Sequence, residues 1–287
     1  MQLRKSERSK AKIKMALQGP SGSGKTMSAL LLAQGLTNGN LSKVAIIDTE
    51  NGSADLYAHL GNYSVLTLEN PHSPQRYIEA IDVCIKAGVE VIIIDSTSHC
   101  WDYLLDYHAS LQGNSFANWS KITPMQKSFV DKILNCNAHV IATMRVKQDY
   151  VISEKNGKMV PEKVGLKAIQ RDEISYEFTI VFDIDSKHFA SASKDRTLLF
   201  EGKPQFLINT HTGEKILEWC NSTMTRPELQ QKIVECMTIK ELTELYNNNL
   251  DMAKSVEQDF VEKKNLLQNL TSNIYKNGNG TTYPQSN

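Results

Sequence analysis

Residues 19–26 read GPSGSGKT, which fits the pattern G-x-x-x-x-G-K-T. Glycines permit backbone dihedrals that a Cβ would forbid, so such a loop wraps an anion with its N–H groups pointing inward. In this Walker A pattern the lysine reaches the β- and γ-phosphates of a nucleotide, and the hydroxyl binds Mg²⁺. The segment therefore predicts a site for ATP and Mg²⁺. Its phosphate-binding residues are Gly19, Pro20, Ser21, Gly22, Ser23, Gly24, Lys25 and Thr26.

Asp95 ends the most hydrophobic run of the chain, VEVIIIDS at residues 89–96. A strand that is buried on both faces reads as such a run, and a P-loop protein holds its Mg²⁺ with the help of a carboxylate at this point. The Thr26 hydroxyl is the expected second ligand, because Mg²⁺ prefers oxygen ligands. We therefore predict a metal site at Thr26 and Asp95. The alternative is a buried strand that simply ends in aspartate.

Hydrolysis also needs a group that orients the attacking water. Asp95 is followed by Ser96 and Thr97, and not by the glutamate that several classes of P-loop ATPase place directly after this aspartate. The carboxylate available instead is Glu50, in AIIDTENGSADLY at residues 45–57, just past another apolar run. Glu50 is therefore the candidate for the catalytic carboxylate.

These groups need a scaffold that brings the ends of neighbouring strands together. Apolar runs predict strands at residues 12–18, 43–49, 89–96 and 138–144. Segments with the apolar spacing of helices lie between them, at residues 25–35, 73–88 and 124–134. The alternation predicts right-handed βαβ crossovers. The expected fold class is α/β, with a mainly parallel twisted sheet and helices on both faces.

The pattern changes after residue 148. A polar, glycine-containing stretch comes first. Residues 176–185 and 187–194 then alternate polar and apolar side chains, as antiparallel strands at a sheet edge do. We therefore expect the sheet to end in an antiparallel edge.

The C-terminal part of the chain has the character of short amphipathic helices. TRPE at residues 225–228 and TIKE at residues 238–241 are capping-box sequences that open two helices, and a third helix is expected at residues 252–270. The chain is therefore divided into a basic N-terminal arm, a core, a small helical C-terminal module and a disordered tail. These four regions are residues 1–11, 12–222, 223–275 and 276–287.

Composition limits the partners and the compartment. The 287 residues carry 32 basic and 32 acidic side chains, so any site for a polyanion must be a local patch. Five scattered cysteines without a C-x-x-C pair indicate reduced thiols. No apolar run approaches the length that spans a membrane. We expect a soluble, cytoplasmic protein, and the absence of an N-K-x-D motif disfavours a GTPase.

Seven segments, taken in order, resemble the phage-borne RecA-like core ATPases, a group that includes phage single-strand-annealing recombinases. They are GPSGSGKTMSALLLA, VAIIDTENGSADLYA, SPQRYIEAI, IIIDSTSHCW, GNSFANWSKITPM, HVIATMRVKQDYV and SASKDRT. The resemblance covers roughly residues 12–200. It implies a RecA-like ATPase core that acts on single-stranded DNA in phage recombination, repair or replication, in the host cytoplasm. It also implies a homo-oligomer, either a ring or a filament, and a single-strand-binding protein as a partner.

The resemblance also assigns roles to individual residues. Glu50 corresponds to the glutamate that aligns water, and Thr143, with Arg145 close behind, occupies the position of the γ-phosphate sensor. The usual sensor is glutamine, from which this sequence departs. SKDRT at residues 193–197 resembles an element that inserts a lysine and an arginine into the neighbouring subunit's active site. Lys194 and Arg196 are therefore expected to act in trans.

Two segments correspond to the DNA-contacting loops of this fold. The first is residues 113–121, with Phe116 and Trp119, and the second is residues 147–171. Aromatic rings stack on unpaired bases, and lysines follow phosphates. The basic residues of the second segment that we assign to DNA are Lys147, Lys155, Lys158, Lys163, Lys167 and Arg171. The alternative is a solvated hairpin with ordinary surface lysines and a core tryptophan.

Two other classes of function remain compatible with a P-loop. A small-molecule kinase needs an acceptor site and a lid rich in arginine. A nucleotide-gated interaction protein, such as a replication loader or a packaging accessory, needs little turnover. A rate of ATP hydrolysis that rises with single-stranded DNA separates the recombinase from the kinase.

Overall fold

The structure is a computed structural model that describes residues 11–155, 158–171, 174–221, 226–247 and 249–277. The chain forms two compact units. The first spans Lys10–Cys220, and the second contains the chain from Asn221 onwards.

The first unit is built on one sheet, to which the described residues contribute nine strands. In chain order they are β1 (Lys14–Gly19), β2 (Val44–Asp48), β3 (Ser64–Thr67), β4 (Val91–Asp95), β5 (His139–Lys155), β6 (Lys158–Ala168), β7 (Ile180–Ile184), β8 (Phe189–Asp195) and β9 (Phe206–Leu207). The order across the sheet is β3-β2-β4-β5-β1-β7-β8-β9, and β6 pairs with β5. Strands β3 to β7 in this order are parallel, whereas β8 and β9 are antiparallel. The predicted α/β fold class is confirmed.

Helices cover both faces of the sheet. They are α1 (Lys25–Leu36), α2 (Pro74–Lys86), α3 (Ser98–Ser110), α4 (Ser115–Asn135), α5 (Ile174–Glu177) and α6 (Thr210–Asn221), with 3-10 turns at Leu41–Lys43 and Ser53–Leu60. Successive strand residues point to opposite faces, so Met15 and Leu17 pack on the side of α1 and α6, whereas Ala16 packs on the side of α2 and α4. This alternation buries β1 on both faces. The P-loop (residues 19–26) begins at the carboxyl end of this buried strand.

Strands and helices of the first unit differ from the predictions in several places. Residues 113–121, expected as a loop, are largely the first turns of α4, because the Asn114 side chain accepts hydrogen bonds from the N–H groups of Phe116 and Ala117. The expected loop at residues 147–171 is largely an antiparallel β5–β6 hairpin. The short strand β3 was missed, since its side chains are only partly buried and form no apolar run.

The second unit is helical. Its helices are α7 (Arg226–Glu235), α8 (Ile239–Asn247), α9 (Leu250–Ser255) and α10 (Glu257–Asn277), so the third predicted helix is two helices with a break at Val256. The predicted cap of α8 is present, because Thr238 Oγ1 accepts from the Glu241 N–H at 3.2 Å and Glu241 Oε2 accepts from the Met237 N–H at 2.9 Å. Among the described residues, no helix combines the length and apolarity that crossing a membrane requires.

A buried histidine makes the stability of the first unit depend on pH. His139 opens β5 with 4% of its surface exposed, and its Nδ1 accepts a hydrogen bond from the Ile13 N–H at 3.1 Å. Only the neutral imidazole can accept this bond. Burial, helped by the charges of Lys12 and Lys14, lowers the pKa of His139 from 6.5 to about 4. The stability that neutral His139 contributes is therefore present above pH 6.5 and is lost as the pH falls toward 4, by roughly 3 kcal/mol in total.

We expect His139→Asn to remove much of this pH dependence. The asparagine Oδ1 can accept from the Ile13 N–H but takes up no proton. The free energy of unfolding, measured in urea at a series of pH values, should fall less steeply between pH 6.5 and pH 4 in the variant than in the wild type. Equal slopes would show that His139 is not the group that titrates.

Candidate functional site

The P-loop joins β1 to α1 and holds its lysine against its own backbone. Gly22 and Gly24 have φ angles of 77° and 84°, in the left-handed region that favours glycine. The Lys25 Nζ donates to the carbonyl oxygens of Gly19 at 3.0 Å and of Pro20 at 2.9 Å. Burial lowers the pKa of Lys25, although the charge of Asp95 opposes this. An ammonium that donates to two neutral carbonyl oxygens, at the start of a helix, fits a phosphate group.

Asp95 meets two hydroxyl groups at the carboxyl end of β4. Thr26 Oγ1 donates to Asp95 Oδ2 at 2.5 Å, and Thr143 Oγ1 donates to Asp95 Oδ1 at 2.5 Å. Asp95 is 2% exposed, and burial raises its pKa against the lowering effect of these two hydrogen bonds. Buried carboxylate and hydroxyl oxygens are the ligands that Mg²⁺ prefers, so the residues fit this ion. The resemblance places Thr143 at the γ-phosphate, whereas in the structure its hydroxyl donates to the Asp95 carboxylate.

Glu50 is paired with an arginine that β5 supplies. Arg145 donates from Nε to Glu50 Oε1 at 2.9 Å and from Nη2 to Glu50 Oε2, which is a two-pronged ion pair. Burial alone would raise the pKa of Glu50, but the hydrogen bonds and the charge of Arg145 hold it below its ordinary value. Glu50 is therefore an ionised carboxylate whose two oxygens both have partners.

Asp48 fixes the turn that carries Glu50, and the sequence interpretation missed it. Asp48 is fully buried at the end of β2, where its Oδ1 accepts from the Glu50 N–H at 2.6 Å and its Oδ2 accepts from the Ala54 N–H at 3.2 Å. Asp48 and Asp95 are register partners on adjacent parallel strands. The signal was present in the sequence, since both apolar runs end in aspartate.

A second missed residue is His188, in the turn between β7 and β8. Its Nδ1 lies 2.9 Å from the Ser23 carbonyl oxygen, so the Nδ1–H donates to the P-loop backbone. A Cβ added to Gly24 would lie 3.1 Å from the same nitrogen. His188 therefore packs directly on the P-loop. No local pattern marked it, because the contact joins residues that are far apart in the sequence.

Aromatic rings form a stacked group on α3 and α4. The Trp119 ring lies 4.2 Å from the His108 ring and 6.0 Å from the Trp101 ring, centroid to centroid, in stacked orientations. Phe116, one turn before Trp119, is 88% exposed. Trp119 is thus a half-buried ring between other aromatic rings, next to an almost fully exposed one.

The basic residues assigned to DNA lie along and after the β5–β6 hairpin. Lys147 is exposed on β5, and Arg171 is partly buried after β6. Four predicted side chains lie outside the described part of the structure, although the strands that carry them are paired. They are Lys155, Lys158, Lys163 and Lys167.

Lys194 and Arg196 lie far from the chain's own P-loop. Lys194 Nζ and Arg196 Nη2 both donate to the carbonyl oxygen of Tyr176, which lies in the short helix α5. Lys194 on β8 pairs with Val181 on β7, and Val181 pairs with Ala16 on β1. Lys194 and the following Arg196 therefore lie toward the amino ends of β1 and β7. The P-loop begins at the carboxyl end of β1, roughly 10 Å or more along the strand. The structure does not bring these cations together with the other predicted catalytic residues of the same chain.

The carboxyl edge of the sheet thus collects the groups that phosphate transfer to water requires: an anion-binding loop with Lys25, a Mg²⁺ site at Thr26 and Asp95, and the carboxylate of Glu50. A protein-family model described as an AAA domain matches residues 11–208, more than half of the chain. A comparison with curated proteins finds no match. The matched stretch includes all the groups at this edge.

Proposed function

This chain belongs to the AAA domain family of P-loop ATPases, and we propose that it is a Mg²⁺-dependent ATPase with a RecA-like core. The observation that carries the ATPase proposal is the contact between Thr26 of the P-loop and buried Asp95, with ionised Glu50 at the next strand end. We further propose that the protein acts in phage DNA recombination, repair or replication, where it binds or anneals single-stranded DNA. Its partners are further copies of itself and a single-strand-binding protein.

The proposed mechanism divides the work among the residues at the carboxyl edge. The P-loop N–H groups and Lys25 bind the phosphates, and Thr26 and Asp95 hold the metal ion. When bound, Mg²⁺ supplies positive charge that neutralises the phosphate oxygens. Glu50 orients the attacking water and takes its proton. Arg145 uses one lone pair of each Glu50 oxygen, so a second lone pair on these oxygens is left to hold the water.

The course of β5 supports the link to DNA. This one strand carries Thr143 against Asp95 and Arg145 against Glu50, and it continues into the hairpin with β6, whose register shifts between Asp149 and Tyr150. A ligand that moves the hairpin therefore acts on the residues that contact both carboxylates. The exposed ring of Phe116 offers a surface on which unpaired bases can stack, one turn from the stacked ring of Trp119.

We expect single-stranded DNA to raise the rate of ATP hydrolysis, and Phe116→Ala to weaken DNA binding. The exposed Phe116 ring contributes little to the fold, so its loss should cost about 1 to 3 kcal/mol of binding free energy without lowering the thermal midpoint. The affinity is measured with a labelled oligonucleotide in the presence of a non-hydrolysed ATP analogue.

Val83→Ala is the matched control, since Val83 is a 55% exposed apolar residue on α2. Its affinity for the oligonucleotide should equal that of the wild type. ATP hydrolysis that does not respond to single-stranded DNA would contradict the DNA part of the proposal and leave the ATPase part standing.

A specific observation favours one alternative, a nucleotide-gated interaction protein with little turnover. The ion pair with Arg145 engages both oxygens of Glu50 and holds the pKa of this carboxyl below its ordinary value, which makes Glu50 a weaker base for water. If this pair persists when ATP is bound, the protein binds nucleotide without hydrolysing it. Negligible turnover by the wild type, with and without DNA, would select this alternative.

A further inference from the structure

His188 has a backbone conformation that is uncommon for residues other than glycine. Its φ angle is 72°, in the left-handed region, although the side chain carries a Cβ. The residue is exposed, so burial of its ring does not account for this conformation. Backbone positions of this kind cluster at functional sites. The contact of the His188 side chain with the P-loop therefore indicates a functional role.

The turn that carries His188 is held rigidly next to the P-loop. Asp185 Oδ1 accepts a hydrogen bond from the Phe189 N–H at 2.9 Å, and the Asp185 N–H donates to the Phe189 carbonyl oxygen at 2.9 Å. The His188 N–H donates to the Asp185 carbonyl oxygen at 3.1 Å. The chain enters this turn at Ile184, and a Cβ added to Gly19 would lie 2.6 Å from the Ile184 carbonyl oxygen. The turn therefore presents the His188 ring from a fixed position beside the loop.

The His188 ring fixes the orientation of one peptide group of the P-loop. Its Nδ1–H donates to the Ser23 carbonyl oxygen at 2.9 Å. The carbonyl oxygen and the following N–H of a trans peptide group point in opposite directions, so this contact turns the Gly24 N–H away from His188. Among the described residues, no carbonyl oxygen accepts from the Gly24 N–H. A backbone N–H that is held in one direction without such an acceptor is prepared to bind an anion.

We propose that His188 is a positioning residue that holds the Gly24 N–H toward the phosphates of the nucleotide. The proposal rests on the proposed nucleotide site at the P-loop and adds a residue to it. A glycine permits many dihedrals, so the peptide group between Ser23 and Gly24 can rotate unless a contact holds it. The P-loop backbone binds the α- and β-phosphates, which ATP and ADP share. The loss of His188 therefore weakens the binding of both nucleotides alike.

The first test is His188→Gly, which removes the ring and suits a left-handed backbone. We expect the Kd for ADP with Mg²⁺ and the Kd for a non-hydrolysed ATP analogue to rise by the same factor, about 3- to 10-fold, which corresponds to one ordinary hydrogen bond. Calorimetric titration gives both values. An unchanged Kd for ADP would overturn the proposal.

The second test is His188→Asn, which separates positioning from a general effect on the fold. Asparagine tolerates the left-handed region better than most residues, and its side-chain amide donates from nearly the same position as Nδ1. We expect both Kd values to return close to those of the wild type. A His188→Asn protein that binds ADP as weakly as His188→Gly would contradict the role of the Nδ1–H donor.

Asn38→Gly is the matched control. Asn38 is an exposed residue with a φ angle of 51°, just beyond the end of α1 that is far from the P-loop. Glycine relieves the same kind of backbone strain there, and both Kd values should stay at those of the wild type. A rise in Kd equal to that of His188→Gly would overturn the proposal. A wild type that binds neither ADP nor the analogue would instead contradict the proposed nucleotide site itself.

Discussion

The Glu50→Gln variant is expected to bind ATP as the wild type does and to lose about 10²-fold or more in kcat. The amide has the shape of the carboxylate but cannot take a proton from water. It also cannot pair with Arg145 through two oxygen atoms, as Glu50 does. Steady-state hydrolysis gives kcat, and equilibrium titration with a fluorescent ATP analogue gives the Kd.

Asp55→Asn is a suitable control for this variant. Asp55 is an exposed carboxylate five positions after Glu50, in the 3-10 turn, and its neutralisation should leave kcat unchanged. Purified Glu50→Gln with the turnover of the wild type would refute the assignment of Glu50 as the group that activates water.

Lys25→Ala is expected to abolish nucleotide binding or turnover. The Lys25 ammonium is held over the P-loop by two carbonyl oxygens, and no other lysine or arginine side chain of the P-loop can replace it. We expect no measurable hydrolysis and a large rise in the Kd for ATP. Lys43→Ala is the control, because Lys43 is a largely exposed lysine that pairs only with Glu90 in the described structure.

The Lys25→Ala variant also tests the proposal that Arg196 acts in trans. Arg196→Ala should be a poor ATPase for a different reason, since its own P-loop is intact and the cation it would present to its neighbour is missing. Mixing the two inactive variants should restore activity, because an Arg196→Ala subunit can receive Arg196 from a Lys25→Ala subunit. No recovery at any mixing ratio, with both variants folded and assembled, would refute catalysis in trans.

The sequence predicts the parts of the site that local pattern determines. The P-loop and the contact of Thr26 with Asp95 follow from a motif and from the end of a fully buried apolar strand, β4, at Asp95. The pairing of Glu50 with Arg145 could not be predicted, since it depends on how far β5 extends past β4 in the folded sheet. The contact of His188 with Ser23 depends likewise on a turn reached only through tertiary folding.

The error at the start of α4 has a local cause. Pro124 favoured a helix that begins there, yet the proline lies inside a helix that begins at Ser115. The Asn114 side chain satisfies two of the N–H groups at the new helix end, which is a signal that the sequence contained. The helix α4 therefore begins after the N-cap residue Asn114, and not at Pro124.

The placement of Lys194 and Arg196 at the amino ends of the strands limits the symmetry of any assembly that uses them. A two-fold dimer can bring these cations to a P-loop only if one self-complementary patch contains both, whereas a heterologous contact places them on two separate patches. With a heterologous contact, copies join with a common polarity. A closed ring of n subunits then has n complete sites. An open row of n subunits has n − 1, because one terminal P-loop has no neighbour, so turnover per subunit should rise as rows lengthen.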